Sequence, residues 1–305
     1  MSTLAPPAAA LPAAPALTQA EIDQRVFTLY DEYCHGRLDR RGFLDRAAAL
    51  GLLAGALAML PDYARAQTIS FTDPRIKASY VTYPSPGGSS GQMRGYLVQP
   101  VGRPGPHPAV LVIHENRGLN PYIEDVGRRA AVEGFLAVAP DGLFPVGGYP
   151  GNDDDGRTLQ TGLDQGKLRT DMLNSARFVK SHKASTGKLG VTGFCWGGGT
   201  TNFLAVALGA DMHAGAPYYG AAAETASVPK IKAPLLLHFA ENDTGINGMW
   251  PACEAALKAA GATYEAHTYP GTQHGFHNNS TPRYKEDAAK LSWDRTIAHF
   301  KKHLA

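Results

Sequence analysis

Thirteen residues, Lys188 to Thr200 (Lys-Leu-Gly-Val-Thr-Gly-Phe-Cys-Trp-Gly-Gly-Gly-Thr), constrain this chain more than any others. A short apolar strand, Leu189 to Thr192, runs into Gly193-Phe194-Cys195-Trp196-Gly197, and small residues at helical spacing follow. This is the G-x-S-x-G pattern of a sharp strand-to-helix turn, with cysteine in the serine position. Gly193 and Gly197 remove side chains where such a turn folds against itself, and Gly198 lets the helix start pack closely. The thiol is expected to stand above the strand end, over a helix N-terminus whose dipole and unpaired N–H groups favour a thiolate. A tight junction without chemistry would need the same glycines, so the rest of the chain decides between the two.

Apolar runs alternate with helical patterns from Gln67 onwards. Strands are expected at Gly95 to Gln99, Ala109 to His114, Phe135 to Ala139, Ala214 to Tyr219, Pro234 to Ala240 and Thr263 to Tyr269. Helices are expected at Tyr122 to Glu133, Lys167 to Lys183, Trp250 to Ala260 and Lys285 to His303. The alternation argues for an α/β fold with a mostly parallel sheet and helices on both faces. With 305 residues, 44% of them hydrophobic, the chain can build one large domain, assigned to 67–305. A net charge of +2 and the lack of a basic stripe give no argument for nucleic acid. No apolar run approaches the ~20 residues of a membrane-spanning helix. Pro145 to Gly166 reads as a long Gly- and Asp-rich loop, and its Asp153-Asp154-Asp155 as solvated charge.

Asp243 follows the next strand but one after the elbow, and His274 follows the last strand. Cysteine, aspartate and histidine thus stand in the Ser…Asp…His order of α/β-hydrolases. Loops at the C-terminal strand ends of an open sheet share one crevice, where the three can meet. His274 is the expected general base, with His277 its nearest rival, and Asp243 would orient it. The backbone N–H groups of Trp196 and Asn116 are the expected oxyanion donors. Glu115 should face the thiol, in surroundings that favour the protonated acid. The alternative is a carboxylate paired with Arg117 or Arg94. Tyr218, Tyr219 and Phe276 are expected to line the substrate pocket.

Glu115 after an apolar strand, the Gly193–Gly198 elbow, Tyr218-Tyr219-Gly220, Asp243 and His274-Gly275-Phe276 together resemble the dienelactone hydrolase (carboxymethylenebutenolidase) family. The resemblance covers about 75–304. It implies hydrolysis of a small-molecule ester or lactone through a Cys195–His274–Asp243 triad, with Glu115 taking the thiol proton, and no metal or organic cofactor. Members that act on dienelactone hold its carboxylate with two arginines, one of them four residues after the histidine; here Asn278 stands there. The other arginine corresponds to Arg157 or Arg169. The resemblance therefore supports hydrolysis more strongly than it supports dienelactone, and a bulkier neutral ester fits the same residues. A non-catalytic binding protein or thiol redox sensor is the reading from another class, and the Asp243–His274 pair argues against it.

The first 66 residues differ in character. Asp39-Arg40-Arg41-Gly42-Phe43-Leu44, the weakly apolar run Ala47 to Leu60 and Ala64-Arg65-Ala66 follow one another as in a twin-arginine export signal. This front end resembles an exported subgroup of the family. It predicts recognition by the twin-arginine export machinery, cleavage before Gln67 and a periplasmic enzyme. The helical periodicity of Gln19 to Tyr33 supports the alternative, a retained helical hairpin on a cytoplasmic protein. Cys34 would leave with a cleaved signal, while Cys253 is read as a packing residue too far from Cys195 for a disulfide.

Overall fold

The computed structural model of the protein describes residues 22–34, 38, 40–58 and 67–305. Met1 to Leu17 and the cleavage motif Ala64 to Ala66 lie outside them. Three helices come first: α1 (Gln24–Cys34), α2 (Arg40–Ala49) and α3 (Leu53–Ala58). Val26, Phe27, Tyr30 and Tyr33 fall on one face of α1 and pack with Phe43 and Ala47 of α2 and Ala56 of α3.

The strands are β1 (Ile76–Ser85), β2 (Gly91–Pro100), β3 (His107–Ile113), β4 (Leu136–Pro140), β5 (Ser185–Phe194), β6 (Ala214–Tyr218), β7 (Leu235–Asn242) and β8 (Tyr264–Gln273). They form an eight-stranded sheet in the order β1-β2-β4-β3-β5-β6-β7-β8. Strand β2 runs antiparallel to both neighbours, and the pairings from β4 to β8 are parallel. The remaining helices are α4 (Pro121–Val132), α5 (Asp153–Gly162), α6 (Gln165–Ser181), α7 (Trp196–Leu208), α8 (Thr244–Asn247), α9 (Trp250–Ala259) and α10 (Glu286–His303).

Alternation along buried strands divides the core between two faces. Leu111, Ile113, Val191 and Leu237 pack with residues of α6, α7 and α9 such as Met172, Leu204 and Leu257. Val110, Val112, Ala137 and Ala216 pack with Ile123 and Val126 of α4 and Ile297 and Phe300 of α10. The α/β expectation with helices on both faces is met.

Strand β1 and helix α5 depart most from expectation. Strand β1 is an edge strand with only three of its ten residues buried, so it lacks an apolar run. Helix α5 lies inside the supposed 145–166 loop, capped by Asn152, whose side chain accepts from the Asp155 N–H. The acidic triplet is not mere solvated charge. Asp153 is buried, 2.7 Å from Arg117 and 2.9 Å from the Tyr149 hydroxyl.

Two buried histidines tie the fold to pH. His238 contacts the Tyr269 hydroxyl at 2.8 Å and the Thr296 hydroxyl at 3.0 Å, and His277 contacts the Tyr122 hydroxyl at 2.7 Å. Burial holds both imidazoles well below the ordinary histidine range. Unfolded, each takes up a proton below about pH 6.5, whereas the folded form does not. The unfolded state therefore binds more protons, and stability falls with pH by up to about 1.4 kcal/mol per unit per histidine. Urea midpoints measured between about pH 7.5 and 5 should drop steadily, and a flat profile would show that these rings bind no more protons unfolded than folded.

Candidate active site

Cys195 joins the end of β5 to the start of α7 with φ 55° and ψ −112°, a left-handed conformation that L residues adopt only at a cost. The surrounding backbone holds it there. Its N–H donates to the Tyr218 carbonyl at 3.1 Å, and its carbonyl accepts from the Gly199 N–H at 3.1 Å. A Cβ on Gly193 would lie 2.3 Å from the Gly197 carbonyl oxygen, and one on Gly197 only 2.4 Å from that of Ile113. No side chain fits at either position. The thiol is partly exposed and free of a disulfide, as is buried Cys253.

His274 lies just past β8 and Asp243 just past β7. The Asp243 Oδ2 lies 2.6 Å from His274 Nδ1, with both side chains at most 3% exposed. The Asp243 Oδ1 accepts from the Ile246 N–H at 3.3 Å. His274 and Cys195 line one cavity of about 690 Å³, together with Asn116 and Trp196. His277 is turned away from it, toward Tyr122. Glu115 is buried, and its Oε2 accepts from the Asn278 side chain at 3.0 Å. The arginines that might have claimed it are engaged elsewhere, Arg117 with Asp153 and Arg94 with Asp141. Burial pushes the Tyr219 hydroxyl well above the usual tyrosine range.

A model of the family described as "Dienelactone hydrolase family" matches residues 93–304. The chain belongs to the dienelactone hydrolase family. A putative carboxymethylenebutenolidase of Escherichia coli is 32% identical over 76% of this chain and 89% of its own length. One of Methylorubrum extorquens is 32% identical over 87% and 94%. The crystal structure of a putative dienelactone hydrolase from Klebsiella pneumoniae superposes with a TM-score of 0.63 at 28% identity, covering 73% of this chain and 99% of that one. A second model, described as "YqhI-like", matches residues 14–50. The chain is thus a hydrolase of carboxylic esters or lactones.

Within this dienelactone hydrolase family member, the three expected pocket residues part company. Tyr219 lines the cavity. Tyr218 does not: it is fully buried, its hydroxyl 2.7 Å from that of Thr296 and its ring stacked on His238. Phe276 is also fully buried, packed against Tyr219 and Tyr269. Of the two candidate arginines, Arg169 lines the cavity, with its guanidinium over the Phe203 ring. Arg157 is held away from it, donating to the backbone carbonyls of Tyr33 and Leu38 at 2.6 and 2.8 Å. Sequence reasoning missed Phe203, Ala221 and Ile246, which give the cavity its apolar wall. Helical spacing from Cys195 along α7 points to Phe203; the other two carry no local signal.

Proposed function

We propose that the protein hydrolyses a neutral ester or lactone through a thioester on Cys195. The reading rests on one observation above all: the Cys195 thiol faces a cavity shared with His274, whose far nitrogen Asp243 holds at 2.6 Å. The thiolate sulfur attacks the substrate carbonyl carbon, and the N–H groups of Trp196 and Asn116 receive the developing oxyanion. His274, which has received the thiol proton by way of Glu115, hands it to the departing alkoxide, and the alcohol leaves. Water then adds to the thioester, His274 taking its proton and returning it to the sulfur as the acid leaves, which restores the thiol. Asp243 keeps the imidazole in one tautomer and stabilises the imidazolium. Glu115, steadied by Asn278, takes the thiol proton when substrate arrives and passes it to His274.

Neutral substrates are favoured by the residues around the site. Asn278 carries no charge and its amide is committed to Glu115. For location, the sequence leaves two readings, a removed twin-arginine signal with a periplasmic enzyme, or retained helices in the cytoplasm. The packed front end supports retention: Phe43, just after the paired arginines, is buried against Tyr30 and Tyr33, and Arg40 pairs with Asp154 at 3.3 Å.

Acid-quenched reaction with a slowly hydrolysed activated ester should leave one acyl group on the peptide containing Cys195, read by mass spectrometry. Turnover with no acyl adduct there, or an adduct on another residue, would refute the thioester.

A further inference from the structure

Three arginines of the catalytic domain converge on two tyrosines of α1. The Arg283 guanidinium lies 4.4 Å from the centre of the Tyr30 ring, and Arg157 lies 4.3 Å from that of Tyr33. Arg117 sits over both rings, at 5.9 and 5.7 Å. All three arginines are at most 7% exposed. At such burial, cation–π contacts are at the strong end of their range. The tyrosines are anchored in turn: Tyr33 stacks on Phe43 at 5.4 Å, and Tyr30 meets the same ring edge-on. Gln273 adds a contact, donating to the Gln24 side chain at 3.2 Å.

What these arginines are attached to matters more than their number. Arg117 follows Glu115 and Asn116 directly, and its guanidinium is braced by Asp153 at the start of α5. The same segment is pinned from α5 a second time, where Gln160 accepts from the Gly118 N–H at 3.0 Å. Arg283 presses on the residue after His274: a Cβ on Gly275 would lie 2.7 Å from its guanidinium, and Gly275 has φ +85°. Gln273 immediately precedes His274. Tyr30 therefore touches, through one arginine on each side, the segment with the proton acceptor and oxyanion donor and the segment with the histidine.

We propose that Tyr30 and Tyr33 are positioning residues of this hydrolase: seated on Arg117, Arg157 and Arg283, they tie the Glu115–Asn116 segment to the His274 loop, so the front end remains on the working protein. The proposal rests on the hydrolase mechanism above for its effect on turnover. The clamp itself has an independent readout, the reactivity of the Cys195 thiol. Removing the helices would bare three guanidinium groups and free both segments at once.

The test uses the full chain. Wild type, Tyr30→Ala and Tyr30→Phe are compared in the rate of Cys195 alkylation by iodoacetamide from about pH 5 to 9, followed on its own peptide, and in kcat and KM for p-nitrophenyl acetate. Tyr30→Ala should shift the alkylation profile by about half a pH unit or more. It should also lower kcat about tenfold with KM nearly unchanged, because the reacting groups are displaced rather than the binding surface. Tyr30→Phe keeps the ring over both guanidinium groups and should restore both values. A folded Tyr30→Ala with an unchanged profile and unchanged kcat would overturn the clamp. If that variant does not fold, Arg283→Lys replaces it, since the shorter planar contact with Tyr30 is lost while the charge stays; the same shift supports the clamp and an unchanged profile refutes it. A wild type that hydrolyses no ester, together with a shifted alkylation profile in Tyr30→Ala, would sink the hydrolase mechanism and leave the clamp standing. An intact mass of protein from its native cells that begins at Gln67 would overturn it outright.

Discussion

Replacing Cys195 with alanine is expected to lower kcat on p-nitrophenyl acetate by about four orders of magnitude or more while the protein stays folded. The thiol sulfur is the atom that forms the bond to the acyl group in the proposed mechanism, and no second cysteine lines the cavity among the described residues. Cys253, the other cysteine with a described side chain, is buried in α9, and burial pushes its thiol up and away from reactivity. Alanine keeps a Cβ at a position where the backbone is already strained, so the turn itself is not altered. The proposed oxyanion donors and the cavity also survive, which should leave a residual rate above that of water. Serine is the sharper comparison. It preserves the shape of the site but gives up the readily ionised sulfur, so it should recover only a small part of the lost rate. Initial rates and thermal unfolding curves for the three proteins decide the matter. Turnover retained in Cys195→Ala, with an unchanged melting temperature, would move the nucleophile elsewhere.

Legibility in the sequence followed how local each signal was. The elbow could be read because its glycines answer to backbone contacts within a few residues, such as Gly193 against the Gly197 carbonyl. Asp243 and His274 could be read because strand ends in a parallel sheet gather at one edge, and order along the chain then places them. Tyr218 and Tyr219 could not be told apart in this way. Side chains alternate across a strand, so one of two neighbours enters the cavity and the other the core; deciding which requires the register of β6. Strand β1 was invisible because an edge strand with exposed faces has no apolar run to betray it. The partner of Glu115 was hidden for a different reason. Arg117 and Arg94 were nearer in sequence or more obvious in charge, yet each had a closer carboxylate, and a neutral amide 163 residues away took the contact. The arginine–tyrosine clamp is wholly a product of tertiary structure, since Arg117, Arg157 and Arg283 share no motif and meet only across α1.

Changing Asp243 to asparagine is expected to cost about three to four orders of magnitude in kcat, with the same fold, for a reason visible in two hydrogen bonds. The carboxylate satisfies two donors at once: the Ile246 N–H on Oδ1 and His274 Nδ1 on Oδ2. An amide offers only one acceptor. If its oxygen stays with the Ile246 N–H, its NH₂ faces Nδ1 and forces the proton onto Nε2, the nitrogen that in the proposed mechanism has to receive the thiol proton. If the amide turns over, the buried Ile246 N–H is left against another donor and the cap of α8 is lost. The first arrangement excludes the working tautomer, and the second keeps it only at the cost of the Ile246 N–H and the cap. The imidazolium that forms during acyl transfer also loses its adjacent negative charge. Near about pH 9 an ordinary thiol ionises without help, so attack on the ester should recover there. Attack of water on the thioester still needs the base and should not recover. The variant is therefore expected to show a burst of p-nitrophenol followed by a slow steady rate at alkaline pH, with acyl groups accumulating on Cys195. A variant that is slow at all pH values and never accumulates the thioester would place the role of Asp243 outside the orientation of His274.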